Sequence, residues 1–417
     1  MRHRNYRLWF YGQGISLIGT WMQNMAQQVL VYRLTGSAAS LGIISVIGLI
    51  PVLPLSVWGG SISDRFNKRN VILWMQVVML VQAFILSYLT WTGKVQVWHV
   101  YLLSLLLAGA NAIDMPARQA FTIDLIAGKE DLTNAIGLNS AMFNGARALG
   151  PSLAGITVAA TGEGPAFLLN GLSFIAVIIS LLMMRNLPQS SKTGQDVYGF
   201  EHMVEGFRFT ARNQSVAVLI SLVAVSAFLS MPYNTLMPVF AANILKDSGR
   251  PIVNAVCYGS HPLLHCETPE ALLLGILMTA VGVGAVVGAL FVASLTNQRR
   301  GVLLTMGNIA FPIFLFIVAV SRSFFISTIM LLFIGFSFVL QNALANTMLQ
   351  LVTPDEVRGR VMGVYTMVFQ STMRLGGLQA GFVADWVSAQ FSLGIGAVIS
   401  IVYGVFIAVR YPAIRRM

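Results

Sequence analysis

Charge is scarce in this chain. Only 10% of its 417 residues are Asp, Glu, Lys or Arg, where a soluble domain carries about a quarter. With 56% hydrophobic residues and a mean hydropathy of +0.75, that shortage excludes an ordinary soluble globule and leaves a chain embedded in lipid. Negative charge is the scarcer sign, with 15 acidic residues against 26 basic ones. Cysteine is nearly missing: Cys257 and Cys266 are the only two, too few for a metal cluster or a disulfide scaffold. None of the histidines falls in the middle of an apolar run. Catalytic spacings are absent too, with no HExxH pair, no phosphate-binding glycine loop and no adjacent nucleophile and base. No enzymatic activity, cofactor or resident metal is expected.

What is present is apolar sequence in long runs. A membrane-crossing helix needs about 20 such residues, and twelve segments qualify, near 9–32, 38–58, 71–92, 97–120, 133–160, 166–184, 215–240, 271–294, 301–320, 323–349, 359–386 and 391–410. The basic start (Arg2, Arg4, Arg7) leads into a run too long for a cleaved signal and is expected to be a first span that stays in the membrane. With the N-terminus inside, nineteen Lys and Arg fall in cytoplasmic segments and five in outer ones, while Arg147 and Arg374 lie within spans. That asymmetry predicts cytoplasmic N- and C-termini. It also assigns the basic balance to an anionic inner leaflet rather than to nucleic acid.

The longest polar interruption, from Arg185 to Gln214, divides the chain into a six-span half at 1–184, a cytoplasmic linker at 185–214 and a second six-span half at 215–417. Gln189 to Gly194 reads as flexible linker. Phe200, Met203, Val204 and Phe207 then recur at helical spacing opposite Glu201, Glu205 and Arg208. This predicts an amphipathic helix lying either on the membrane face or on the bundle's own surface.

The halves repeat. At an offset of 226 residues, Gly109 meets Gly335, Glu130 meets Glu356, Gly137 meets Gly363, Gly150 meets Gly376 and Gly155 meets Gly381. Arg147 finds Arg374 one residue out of step. Equivalent halves are what a transporter with a midplane site requires, although periodic glycines also serve generic helix packing.

Between the second and third spans stands a crowded charged loop, Gly60-Ser-Ile-Ser-Asp64-Arg65-Phe-Asn-Lys68-Arg69. Gly60 allows close helix approach, and Asp64 can stabilise a neighbouring helix N-terminus. Lys68 and Arg69 can pair with an acid on the next hairpin, where Asp124 ends span four. The plain alternative is a solvated basic loop that only sets topology.

Charges deep in a span are costly and usually face a cavity or a partner. Asp114 in span four is the one carboxylate well inside a helix, and it is the candidate proton carrier. Its other reading is a fixed ion pair with Arg118 one turn away, or with Arg147 on the next span. Arg147 and Arg374, mid-span in spans five and eleven, could bind an anionic substrate or merely lock neighbouring helices. Asn24, Gln27 and Gln28 share one face of span one. Asn139, Asn144 and Asn170 add amides to the first half; Tyr233, Asn234, Gln341, Asn342, Asn346 and Gln370 do so in the second. Together they sketch a wide cavity for a bulky polar or amphipathic ligand; singly, each could be interhelical glue.

In span five, Gly150, Pro151 and Gly155 form a bend motif in which proline removes a backbone donor. In the loop from Asn243 to Pro269, Cys257 and Cys266 could close a disulfide in an oxidising exterior, remain free thiols, or join His261 and His265 at a metal.

The charged loop resembles the G-x-x-x-D-R-x-x-R/K-R motif of major facilitator superfamily transporters, and the Gly150–Gly155 segment resembles their antiporter motif, with Ala154 replacing one glycine. The run Asp114-Met-Pro-Ala-Arg118, with Asn134 to Asn139 and Phe143 to Arg147, is similar to the enterobactin-exporter-like branch, the transmembrane secretion effectors. The resemblance implies an all-α membrane protein of twelve transmembrane helices in two pseudo-symmetric six-helix bundles, the major facilitator fold. It further implies proton-driven export of a small amphipathic, siderophore-like or drug-like compound across a bacterial inner membrane by alternating access. Protons, a small-molecule substrate and membrane lipids are the partners expected, and a monomer. Two positions depart from the pattern. Leu106 stands where superfamily exporters often carry a coupling arginine three residues before Gly109, and the second-half loop at Asn297 to Arg300 lacks the Asp-Arg pair. Lipid or lysophospholipid translocation is the alternative on the same scaffold.

Overall fold

The computed structural model describes residues 4–51, 67–126, 129–185, 199–259, 262–295 and 300–416. Among them are helices and no strands. This follows from lipid as solvent, where each backbone N–H and C=O must be satisfied within its own segment. In order the helices are α1 (Arg4–Thr35), α2 (Ala38–Ile47), α3 (Lys68–Trp91), α4 (Val97–Asp124), α5 (Lys129–Thr161), α6 (Glu163–Met183), α7 (Gly199–Arg212), α8 (Gln214–Leu229) and α9 (Tyr233–Val239). Then come α10 (Lys246–Val253), α11 (Pro269–Ser294), α12 (Arg300–Val320), α13 (Phe324–Val352), α14 (Asp355–Trp386), α15 (Ala389–Arg410) and the short α16 (Pro412–Arg416). π-helical turns at Phe240–Ile244 and Asn254–Tyr258 flank α10.

Eleven of the twelve apolar segments coincide with a helix or, for the seventh, with the two helical pieces α8 and α9, and the described part of the second contains α2. Eight helical stretches are long and apolar enough to cross a membrane. Helices α1, α5 and α14 are 32, 33 and 32 residues long, about 48 Å each at 1.5 Å per residue, yet they fall short in apolarity. Most of the amides and both mid-span arginines named from the sequence sit on these three. The described part of the second span ends shortly after α2, so Gly60, Asp64 and Arg65 lie outside the described residues.

Turn chemistry sets the helix ends. Gly36 and Gly162 take positive φ, +62° and +75°, a conformation that costs glycine little and lets α1 turn into α2 and α5 into α6 within a few residues. Asn67, Asn213, Ser323 and Ser388 each cap the helix they precede, their side-chain oxygens accepting backbone N–H groups of the first turn.

The chain groups into two compact units. One comprises Met1–Thr35, Ile47–Val197 and Val253–Gly275; the other comprises Gly36–Val46, Tyr198–Ile252 and Ile276–Met417. The first unit takes in the beginning of α11, and the second takes in most of α2.

In the first unit, Trp9, Ile72, Ala117, Phe121, Val177 and Leu181 close a core shared by α1, α3, α4 and α6. Gly12 and Gly19 on α1 leave room for Ser180 and Ser173 of α6. The repeated glycines do matching work. Gly150 lets α5 approach Trp21 of α1, and a Cβ on Gly155 would stand 2.8 Å from the Cα of Gly275 on α11. In the second unit, a Cβ on Gly376 of α14 would stand 2.9 Å from the Cα of Phe228 on α8, and one on Gly381 would stand 2.5 Å from the carbonyl of Ala38 on α2. Gly137 and Gly363 both face open space.

Helix α7 packs on α14. Gly206 sits over the carbonyl of Arg360, and Glu205 pairs with the Arg360 guanidinium at 2.6 Å. Val204 and Phe207 stay exposed. Of the two placements expected for this helix, the contact found is with the bundle's own surface.

Candidate functional site

The first unit contains a cavity of about 500 Å³. Its walls come from α1 (Trp9, Gln13, Asn24), α4 (Asn111, Asp114, Arg118), α5 (Asn139, Phe143) and α6 (Asn170, Phe174), with Met79 from α3. Among the described residues lining it, Asp114 and Arg118 alone are charged.

Asp114 is 2% exposed. Helical spacing puts Arg118 one turn along the same face, and its Nε donates to Asp114 Oδ2. The guanidinium also donates through Nη1 to Gln13 of α1 and lies over the Trp9 ring, 5.6 Å from its centroid. From α3, Gln76 Nε2 donates to Asp114 Oδ1 at 3.4 Å. The carboxylate is thus held on both oxygens, and the arginine on three sides. This arrangement offsets the cost of burying two ions, and the site carries no net charge when Asp114 is ionised. Arg147, the other partner considered for Asp114, does not line the cavity.

A chain of buried amides joins α6, α1 and α3. Asn170 Nδ2 donates to Gln23 Oε1 at 2.7 Å, and Gln23 Nε2 donates to Gln82 Oε1 at 3.1 Å. Gln27 donates to Ser104 Oγ at 2.5 Å and is taken up by packing against α4. Of the amides named from the sequence, Asn24, Asn139 and Asn170 line the cavity, whereas Gln27, Gln28 and Asn144 do not. Asn144 donates to Ser140 O within its own helix.

The second-unit candidates have separate surroundings. Tyr233 is buried with its ring edge-on to Phe311. Asn342 Oδ1 accepts from the Tyr365 hydroxyl at 3.2 Å, and Asn346 Oδ1 accepts from Gln350 at 2.6 Å. Asn234 and Gln370 are half-buried. Arg374 donates through Nη1 to the carbonyl of Ser45 at 3.2 Å, while its buried Nε has no hydrogen-bond partner among the described residues.

At the start of α3, Lys68 Nζ meets Asp124 Oδ2 at 2.7 Å. Arg69 instead donates to the carbonyl of Leu182. Helix α5 continues through Pro151 without interruption. Cys257 and Cys266 are joined as a disulfide.

Sequence reasoning missed Gln13, Gln76 and Gln82, three amides inside apolar runs. The signal was available, since a lone polar side chain in a span needs a partner. It also missed Glu163, 3% exposed, which takes the Arg33 guanidinium on both oxygens at 2.8 and 3.0 Å.

A family model described as transmembrane secretion effector matches residues 1–416. The staphyloferrin A transporter of Staphylococcus aureus is 26% identical over 57% of this chain, which spans 59% of that relative's length. Macrolide efflux protein A of Streptococcus pyogenes is 21% identical over 92% of this chain and 91% of its own. The enterobactin exporter of Shigella flexneri is 22% identical over 87% and 81%. Among solved structures, the nucleoside transporter NupG superimposes with a TM-score of 0.73 over 98% of this chain and 99% of that one, at 14% identity. That likeness establishes the major facilitator fold.

Proposed function

Because the chain belongs to the transmembrane secretion effector family of major facilitator transporters, we propose that it exports a small amphipathic compound, siderophore-like or drug-like, in exchange for protons. The observation that carries this reading is the buried Asp114–Arg118 pair opening on the cavity. Asp114 is a carboxylate that can gain and lose a proton where substrate would sit. Apolar walls (Met79, Leu107, Met142, Phe143, Phe174) suit a greasy body, and the amides suit scattered polar groups. Efflux proteins among the relatives support the outward direction.

In this account the cavity opens alternately to the two sides of a bacterial inner membrane, with both termini cytoplasmic. The loop from Gly60 to Arg69 latches the cytoplasmic side, and Lys68 with Asp124 forms part of that latch. Arg374, with no acidic partner among the described residues, receives an anionic group of the substrate, and Arg147 is the corresponding candidate in the first unit.

The test is transport in proteoliposomes under an imposed pH gradient, using the compound that accumulates in cells lacking the protein. Asp114→Asn is expected to abolish gradient-driven movement. Retained dependence on the gradient would remove Asp114 as carrier. Lipid translocation is the second reading, favoured by the apolar share of the cavity wall; selectivity for acyl-chain length in the same assay would select it.

A further inference from the structure

Gln76 is 0% exposed and stands in the middle of α3. Its Nε2 donates to Asp114 Oδ1, and its Oε1 is buried with no hydrogen-bond partner among the described residues. A buried acceptor left unmade is unusual and calls for an explanation. The chemistry of its neighbour Asp114 supplies one.

An ionised carboxylate only accepts, so it must be faced by the amide nitrogen; a protonated carboxyl also donates and is then best faced by the amide oxygen. A carboxamide presents both atoms in nearly the same shape, and a half-turn about its last bond exchanges them. We infer that Gln76 is the positioning residue that holds Asp114 in both protonation states, donating to the carboxylate and, after turning over, accepting from the acid.

This rests on the reading of Asp114 as proton carrier. When a proton reaches Oδ1, the Oδ1–H bond points at Gln76 Oε1, and the acceptor that lacked a partner gains one. At the same step Arg118 loses a full counter-charge on Oδ2. It keeps Gln13 and the Trp9 ring, so it stays in place as a cation facing the cavity. Among the described residues, the helices packed on α4 bring only neutral groups to the pair, Gln76 from α3, and Gln13 and Trp9 from α1; Arg118 is the one charge, from α4 itself. Protonation therefore weakens the hold of Arg118 on Asp114 while Gln76 keeps its own, and an amide at position 76 makes this possible with little movement.

The test is infrared difference spectroscopy of the protein in lipid vesicles on lowering the pH. The band of protonated Asp114 is identified by its loss in Asp114→Asn. In Gln76→Leu and in the unbranched Gln76→Met, that band is expected to move to higher frequency, as a carboxyl that has lost its acceptor does. The midpoint of its appearance is expected to shift with it. A band unmoved in a folded Gln76 variant overturns the role of Gln76 while leaving Asp114 as carrier. A spectrum with no band removed by Asp114→Asn overturns the carrier reading, and this inference with it. Gln76→Met keeps the volume of the side chain, so one variant remains readable if Gln76→Leu does not fold.

Discussion

Asp385, at the end of α14, accepts the backbone N–H of Ala38 at 2.7 Å, from the first turn of α2, 347 residues away in sequence. Its other oxygen takes the N–H of Ala39 at 3.1 Å and the Ser37 hydroxyl at 2.5 Å. A carboxylate there satisfies donors that the helix leaves open and lies at the positive end of its dipole. Asp385→Ala is expected to cost about 1–2 kcal/mol of stability, read as a lower unfolding temperature in detergent. Asp385→Asn, still an acceptor, should lose less. Equal losses would mean that the negative charge and the second oxygen carry the contact, and that one remaining acceptor does not suffice.

The Lys68–Asp124 pair is more sheltered than a surface ion pair, with side chains 16% and 31% exposed. A double-mutant cycle with Lys68→Met and Asp124→Leu should return a coupling of about 1–2 kcal/mol. Each single variant should unfold earlier than the double one, since either leaves a half-buried charge behind. Additive losses would show that the two charges ignore each other.

Gly155→Leu and Gly381→Leu should each destabilise by about 1–3 kcal/mol, because overpacking a close helix contact displaces backbone. Gly137→Ala and Gly363→Ala meet nothing within 4 Å and should raise stability by about 0.5–1 kcal/mol each through helix propensity. Thermal unfolding of the four variants separates the two classes. A loss at Gly137 or Gly363 would contradict the open space described.

Maleimide labelling checks the loop between α10 and α11. Neither Cys257 nor Cys266 should react in unreduced, denatured protein, and both should react after reduction. Closing so short a loop contributes about 2–3 kcal/mol on the chain-entropy account, so Cys257→Ser should lower the unfolding temperature.

Much of the fold was legible because lipid imposes a strong local rule. Each span had to be a long apolar helix, and each of the twelve segments read from the sequence meets helix in the structure. The offset that pairs Gly150 with Gly376 and Gly155 with Gly381 carried real contact information, since Gly150 and Gly155 let α5 approach two other helices closely and Gly376 and Gly381 do the same for α14. Partners were harder. Nothing local says that α2 packs on α14 or that the start of α11 packs on α5, because both contacts join segments far apart in the chain. The same limit applies at the site. The i, i+4 spacing placed Asp114 beside Arg118, but Gln13 and Gln76 reach the pair from other helices. Gln27 looked like a cavity residue from its face of α1, and it is occupied by Ser104.

The most direct test of the central claim uses vesicles containing the protein and a pH-sensitive dye, given the compound that accumulates in cells lacking it. Adding that compound on one side should release protons across the membrane at a rate set by the imposed gradient, and Asp114→Asn should abolish the response. Movement of the compound at the same speed with and without a gradient, or proton flux undiminished in Asp114→Asn, would contradict the account.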